Sequence, residues 1–99
     1  MMVRYRSRAQ KDIESIYDNI ARDNPDAAQR VEDAIHAAGN LLSRRPEIGV
    51  VTGHKDARRW PMTVFDYTLF YRIEWDEGYV DVLRVVKSKR VQNLKRVPQ

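Results

Sequence analysis

Ninety-nine residues, 42% hydrophobic and 32% charged, suit one small soluble globular domain spanning 1–99 and are too few for two. Without cysteine there is no disulfide framework and no thiolate metal site, which fits a reducing, cytoplasmic setting. The formal charge of +4 sits at one end: Arg84, Lys87, Lys89, Arg90, Lys95 and Arg96 face no acidic residue from Val82 onward, whereas the remaining positions hold twelve Lys/Arg against fourteen Asp/Glu.

Met2 to Arg6 alternate weakly between apolar and basic and read as a short edge strand. Ser7 followed by Gln10 fits a capping box, and Ile13, Ile16, Tyr17 and Ile20 then fall at helical spacing to about Arg22. Asn24 and Pro25 signal a second start, with Asn as N-cap and Pro where its missing N–H costs nothing. Ala28, Val31, Ile35, Ala38 and Leu42 form the stripe of a second helix ending before Pro46. So short a link makes the pair an αα-hairpin. The alanines of the second helix suit helix propensity or a close neighbour.

Pro46 to Asp56, with two glycines, reads as an irregular crossing to a sheet. Ala57 to Met62 predicts a strand in which Pro61 stays out of the hydrogen-bond ladder. Tyr67 to Trp75 and Tyr79 to Val86 then flank Asp76-Glu77-Gly78, read as a three-residue hairpin loop. If Trp75 faces Tyr79, then Tyr71 faces Leu83, Leu69 faces Val85, Phe70 faces Arg84 and Arg72 faces Val82. Leu69, Tyr71, Ile73, Leu83 and Val85 would meet the helices, and Thr68, Phe70, Arg72, Glu74, Val82 and Arg84 would form an open or partner-covered face. Asn93 to Gln99 reads as a mobile tail. MMVRYRSRAQ has arginines where a signal peptide needs an apolar run, and no segment approaches the roughly 20 apolar residues that span a bilayer, so no membrane partner is expected.

The chemical inventory is short. There is no Gly-rich phosphate loop and no HExxH, and the two histidines, His36 and His54, are far apart. His36 falls on the polar side of its helix; His54, in a loop, could move a proton but has no identified orienting partner. Ser7, Ser43 and Ser88 sit at element ends without a nucleophile elbow. Asp12, Glu14, Asp18 and Asp23 read as the solvated face of the first helix. No metal or cofactor is expected. Arg58, Arg59, Arg72, Arg84, Lys87, Lys89 and Arg90 all come from the sheet or its end; converging, they would bind phosphates or carboxylates. Trp60, Phe65 and Phe70 would stack on a base, fill a protein hot spot, or pack the core, the last favoured for Phe65.

In sequence order, the N-terminal strand, the Ile-rich helix, ARDNPDAAQRV, PEIG, RRWPM and YTLFYRIEWDEGYVDVLRVVKSKR resemble the RelE/ParE superfamily of bacterial toxins over nearly the whole chain. ARDNP, LFYRIE and VLRVV with its cationic end look closer to ParE, or plasmid-stabilisation proteins, than to RelE. The resemblance implies an α+β fold of order β-α-α-β-β-β, with an antiparallel sheet packed against a helical hairpin. It implies a cognate antitoxin, ParD-like or RelB-like, that wraps the toxin through an acidic and apolar segment. It also implies one of two targets: ParE-like members poison DNA gyrase, whereas RelE-like members cut messenger RNA in the ribosome.

The RNA-cutting branch uses basic residues on the open sheet face and, in many members, a tyrosine or histidine near the C-terminus. Here Thr68 stands where that branch often has arginine, Lys87 where many relatives have histidine, and no Tyr or His follows Tyr79. A lysine with a pKa near 10 is a poor base at neutral pH. The leading expectation is therefore a gyrase-binding toxin that meets its target through Arg58, Arg59, Trp60, Lys87, Lys89 and Arg90. The alternatives are a ribosome-dependent endoribonuclease using Arg72, Arg84, Lys87 and Arg90, and a non-toxic interaction module.

Overall fold

The isoleucine stripe and the Asn-Pro start fold as expected in the computed structural model, which describes residues 1–91, with side chains through Lys89. Helix α1 spans Ser7–Ala21 and α2 spans Pro25–Arg44. Asn24 caps α2, its Oδ1 accepting the Ala27 N–H at 3.0 Å. The start of α1 differs from a capping box: Arg6 holds the extended N-cap position without a capping side-chain bond, and Gln10 Nε2 donates to the Tyr5 carbonyl at 2.7 Å. One long side chain thus ties the helix back to the strand before it.

That strand, β1 (Met2–Tyr5), is an edge strand, as expected. It runs parallel to β5 (Tyr79–Lys87), so the sheet is mixed, with antiparallel pairing elsewhere. Between the edges lie β4 (Tyr67–Glu74), β3 (Ala57–Pro61) and β2 (Val50–Val51), in the order β1-β5-β4-β3-β2. The crossing after α2 is less irregular than its glycines suggest: a single 3-10 turn, Pro46–Ile48, leads into β2. A short helix, α3 (Ser88–Val91), follows β5. The tail expected from Asn93 onward lies outside the described residues.

The β4–β5 register needs correction at one end. The loop takes four residues, Trp75 to Gly78, closed by the Gly78 N–H on the Glu74 carbonyl at 2.9 Å with Gly78 at a φ of +76°. Glu74 therefore pairs with Tyr79, Arg72 with Asp81 and Tyr71 with Val82. A bulge then restores the expected pairing, Phe70 with Arg84 and Leu69 with Val85. Leu83 is the extra residue. The shift exchanges two side chains: Val82, expected on the open face, is buried under the helices with Leu69 and Tyr71, and Leu83 packs instead with Phe70 and Val86.

The main core lies between the helical hairpin and one sheet face, filled by Ile13, Val31, Ile35 and Leu42 against Leu69, Tyr71, Val80, Val82 and Val85. The other face is not bare, because Phe70 is only 1% exposed there. Gly39, in the middle of α2, is where Tyr5 of β1 comes close: a Cβ at this position would overlap the Tyr5 hydroxyl.

Candidate functional site

The strand ladder sorts the expected site residues onto opposite faces. Arg58 pairs with Tyr71 and Trp60 with Leu69, so both point to the helical side. There Arg58 Nη1 donates to the Glu47 and Gly49 carbonyls at 3.2 and 3.1 Å. The Tyr71 hydroxyl donates to the Pro46 carbonyl at 2.6 Å and accepts the Gly49 N–H at 2.9 Å. The two side chains clamp the Pro-Glu-Ile-Gly turn, and burial raises the Tyr71 phenol pKa above its ordinary value. Trp60 is half-buried against the core. Arg58 thus has a structural use within the fold.

Arg59 and Arg72 point to the other face. One ladder row crossing it reads Arg4, Asp81, Arg72, Ala57. Asp81, 4% exposed, bonds Arg6 Nε at 2.6 Å, and this bond together with the carboxylate charge raises the Arg6 pKa. The Arg4 guanidinium lies 4.0 Å from the centroid of the Tyr79 ring. Arg72 has Glu74 at 4.0 Å, and its Nε is buried without a hydrogen-bond partner. The open face therefore carries alternating charge, not a cationic sheet. Arg4, Arg6 and Asp81 escaped sequence reading because parallel β1–β5 pairing brings them together; the signal available was the single aspartate inside YVDVLRVV.

Arg84 belongs to neither group. Its guanidinium meets Asp12 of α1 at 2.7 Å, and the same carboxylate takes the Val85 N–H at 2.9 Å. Asp12 was expected among the solvated carboxylates of α1, but its side chain is only 15% exposed. Pairing with Phe70 puts Arg84 nominally on the open face, where it was expected, yet it turns to the helix beside the bulge.

Lys87 and Lys89 are exposed at the far end. Lys87 Nζ lies 4.8 Å from the centroid of the Tyr67 ring, at the mouth of a cleft of about 390 Å³ that also includes Ser15, Asn19 and Ile20 of α1. Beside it Thr68 Oγ1 and Ser88 Oγ share a hydrogen bond at 2.8 Å, so both hydroxyls are engaged. The Arg90 side chain lies outside the described residues. Arg59 stands three ladder rows from the Tyr67–Lys87 pair, about 10 Å along the strand, and faces the opposite way. Arg72, Arg84 and Lys87, the described members of the expected phosphate-cutting set, are not gathered around one point.

Phe65 corrects another expectation: it is 47% exposed at the β3–β4 turn, with a left-handed φ of +59°, because Val64, Phe65 and Asp66 project beyond the last ladder pair. His36 is exposed, with the edge of its ring pair set against Tyr5 at 5.3 Å between centroids. His54 lies in the β2–β3 turn, and only its backbone is bonded there. No described helix is long and apolar enough to cross a membrane. Among the described residues the arrangement offers cations for binding and no assembled general base.

Residues 3–92 match the family model described as the ParE toxin of the type II toxin–antitoxin system parDE. No curated protein is similar enough in sequence to count as a relative. Among solved structures, a chain of the chromosomal ParDE system from P. aeruginosa superposes with a TM-score of 0.75 at 17% identity, over 88% of this chain and 95% of that one. A chain of the RelBE2 toxin–antitoxin complex from Mycobacterium tuberculosis gives 0.65 at 23% identity, over 87% and 95%. A chain of the intact E. coli RelBE complex gives 0.61 at 16% identity, over 87% and 94%.

Proposed function

Because the chain belongs to the ParE toxin family of type II toxin–antitoxin systems, we propose that it acts by binding DNA gyrase and is neutralised by a cognate antitoxin. The observation that carries the choice of target is the dispersal of the described candidate phosphate-handling cations. Arg84 is engaged by Asp12, Lys87 stands over Tyr67 on the helical side, and Arg72 lies in the Arg4–Asp81 row. Transition-state stabilisation in phosphate cleavage needs such groups preorganised about one oxygen. A binding surface does not.

Of the six residues expected to meet the target, Lys87 and Lys89 are exposed and Arg59 is half-buried on the open face, whereas Arg58 serves the Pro46–Gly49 turn. Target binding is therefore assigned to Lys87 and Lys89, at the end of β5 and the start of α3, with Arg59 and Trp60 of β3 as outlying contacts. The antitoxin reading is supported by the exposed apolar surface, since Val50, Val51, Val64 and Phe65 are all uncovered.

Induction of the chain in a growing culture, with plasmid topology and message integrity read together, tests the target. Loss of negative supercoiling with message intact is expected; discrete message cuts with unchanged topology would contradict it.

A further inference from the structure

Strand β5 carries opposite chemistry at its two ends. Before it, the Trp75–Gly78 loop displays Trp75 at 58% exposure, the largest side chain so uncovered among the described residues, followed by the exposed carboxylates of Asp76 and Glu77. Among the described residues neither carboxylate has an ion-pair or hydrogen-bond partner. The backbone of this tip is fixed: the Gly78 N–H closes it on the Glu74 carbonyl at 2.9 Å, and the Gly78 carbonyl takes the Met2 N–H at 3.2 Å. A large aromatic side chain on an ordered turn loses little further freedom when a partner covers it.

At the other end the charge reverses. Lys87 and Lys89 are exposed there beside the cleft of about 390 Å³ between α1 and β5. Arg22 joins them, because its Nη2 donates at 2.6 Å to Oδ1 of Asn19, a residue that lines the cleft. Ile16 and Ile20 give the cleft an apolar wall, facing the Tyr67 ring that lies by Lys87 Nζ. The one carboxylate among its described lining residues, Asp12, is already taken by Arg84 and the Val85 N–H. Such a cleft suits a flat apolar group followed by negative charge, which is the chemistry of the Trp75–Glu77 tip.

Eight strand steps from Tyr79 to Lys87 set the tip and the cleft about 27 Å apart, so a copy does not reach its own cleft. Two copies laid antiparallel about a two-fold axis bring each tip to the other's cleft, and this reciprocal contact closes at two. We propose that the free chain forms this pair with a second copy of itself. Trp75 enters between Ile16, Ile20 and Tyr67, and Asp76 and Glu77 meet Lys87, Lys89 and Arg22. The pair covers Lys87 and Lys89 and so withholds the surface assigned above to the target; that consequence rests on the target reading, whereas the pairing does not.

Sedimentation equilibrium of the purified full chain tests the pairing. Asp76→Lys with Glu77→Lys reverses the tip, Lys87→Glu with Lys89→Glu reverses the cleft mouth, and Trp75→Ser removes the indole. The unaltered chain is expected to pass from monomer to dimer with rising concentration, and to pair less in high salt. Each variant should weaken dimerisation by roughly tenfold or more, while its circular dichroism stays that of the parent. The two charge-reversed variants mixed in equal amounts should pair again, because every tip then meets a cleft of opposite sign. An unaltered chain that stays monomeric at every concentration, variants that dimerise as the parent does, or a mixture that fails to pair overturns the proposal. Growth beyond the dimer would show an open chain of copies and overturn the two-fold pair.

Discussion

Asp12 of α1 accepts two bonds from the Arg84 guanidinium, at 2.7 and 3.1 Å, and a third from the Val85 N–H at 2.9 Å. One carboxylate thus joins the first helix to β5 just beyond the bulge that resets its register. Replacing Asp12 by alanine deprives a largely buried guanidinium and a backbone donor of this partner, so a loss of about 2–4 kcal/mol is expected. Asp12→Asn keeps an acceptor and should lose less. Urea unfolding measures both, and an alanine variant as stable as the parent would remove this role.

Two tyrosine hydroxyls should respond in opposite ways. Tyr71 makes two hydrogen bonds to the Pro46–Gly49 turn, so Tyr71→Phe is expected to cost about 1–3 kcal/mol. The Tyr5 hydroxyl is buried with no partner, so Tyr5→Phe should be neutral or stabilising. Equal losses in the two variants would contradict this reading.

The same burial sets a pH dependence. Both phenols have pKa values raised above 10.0, chiefly by burial, so on raising the pH the unfolded chain ionises first. Their stabilising contribution is complete below pH 10 and is lost as pH rises through the folded-state values. Tyr5→Phe should flatten this alkaline decline when urea midpoints are compared between pH 8 and pH 11. An unchanged slope would argue against a buried Tyr5.

Gly39 and Tyr5 form a testable pair. Gly39→Ala improves helix propensity by about 1 kcal/mol but places a methyl group against the Tyr5 hydroxyl. A net loss is expected in the parent, and a smaller loss or a gain in Tyr5→Phe. Additive effects across this double-mutant cycle would show that the two residues do not touch.

Backbone strain in two turns can be relieved. Lys55 and Asp56 have φ of +41° and +62° in the His54–Ala57 turn, and Phe65 has +59°. Lys55→Asn with Asp56→Gly supplies the Asn-Gly pair that such a two-residue turn favours, and should raise stability by about 1 kcal/mol. Phe65→Asn should melt no lower than the parent. A fall in the thermal midpoint for the Asn-Gly variant would mean that the side chains of Lys55 and Asp56 contribute more than the strain costs.

Helices and strands were legible because their periods are strong: the isoleucines of α1, the Asn24–Pro25 start and the aromatic run of β4 all lie as expected. What depended on one residue of slip was not. The expected loop, Asp76-Glu77-Gly78, and the observed one, which adds Trp75, end on the same glycine, and only the bulge at Leu83 reconciles the longer loop with the pairing beyond it. The candidate site suffered most from this, because alternation assigns faces by parity, so a single inserted residue moves Val82 inward and Leu83 outward. Parallel pairing of β1 with β5 joins residues 77 positions apart, which no local pattern encodes, and it alone brings Arg6 to Asp81, 75 positions away. The engagement of Arg84 by Asp12 was hidden for the same reason.

Supercoiling of relaxed plasmid by purified gyrase, titrated with this chain, tests the central claim most directly. Supercoiling should fall as the chain is added, with Lys87→Glu and Lys89→Glu together requiring more protein for the same effect. Unchanged supercoiling at saturating concentrations of the folded chain would contradict the account.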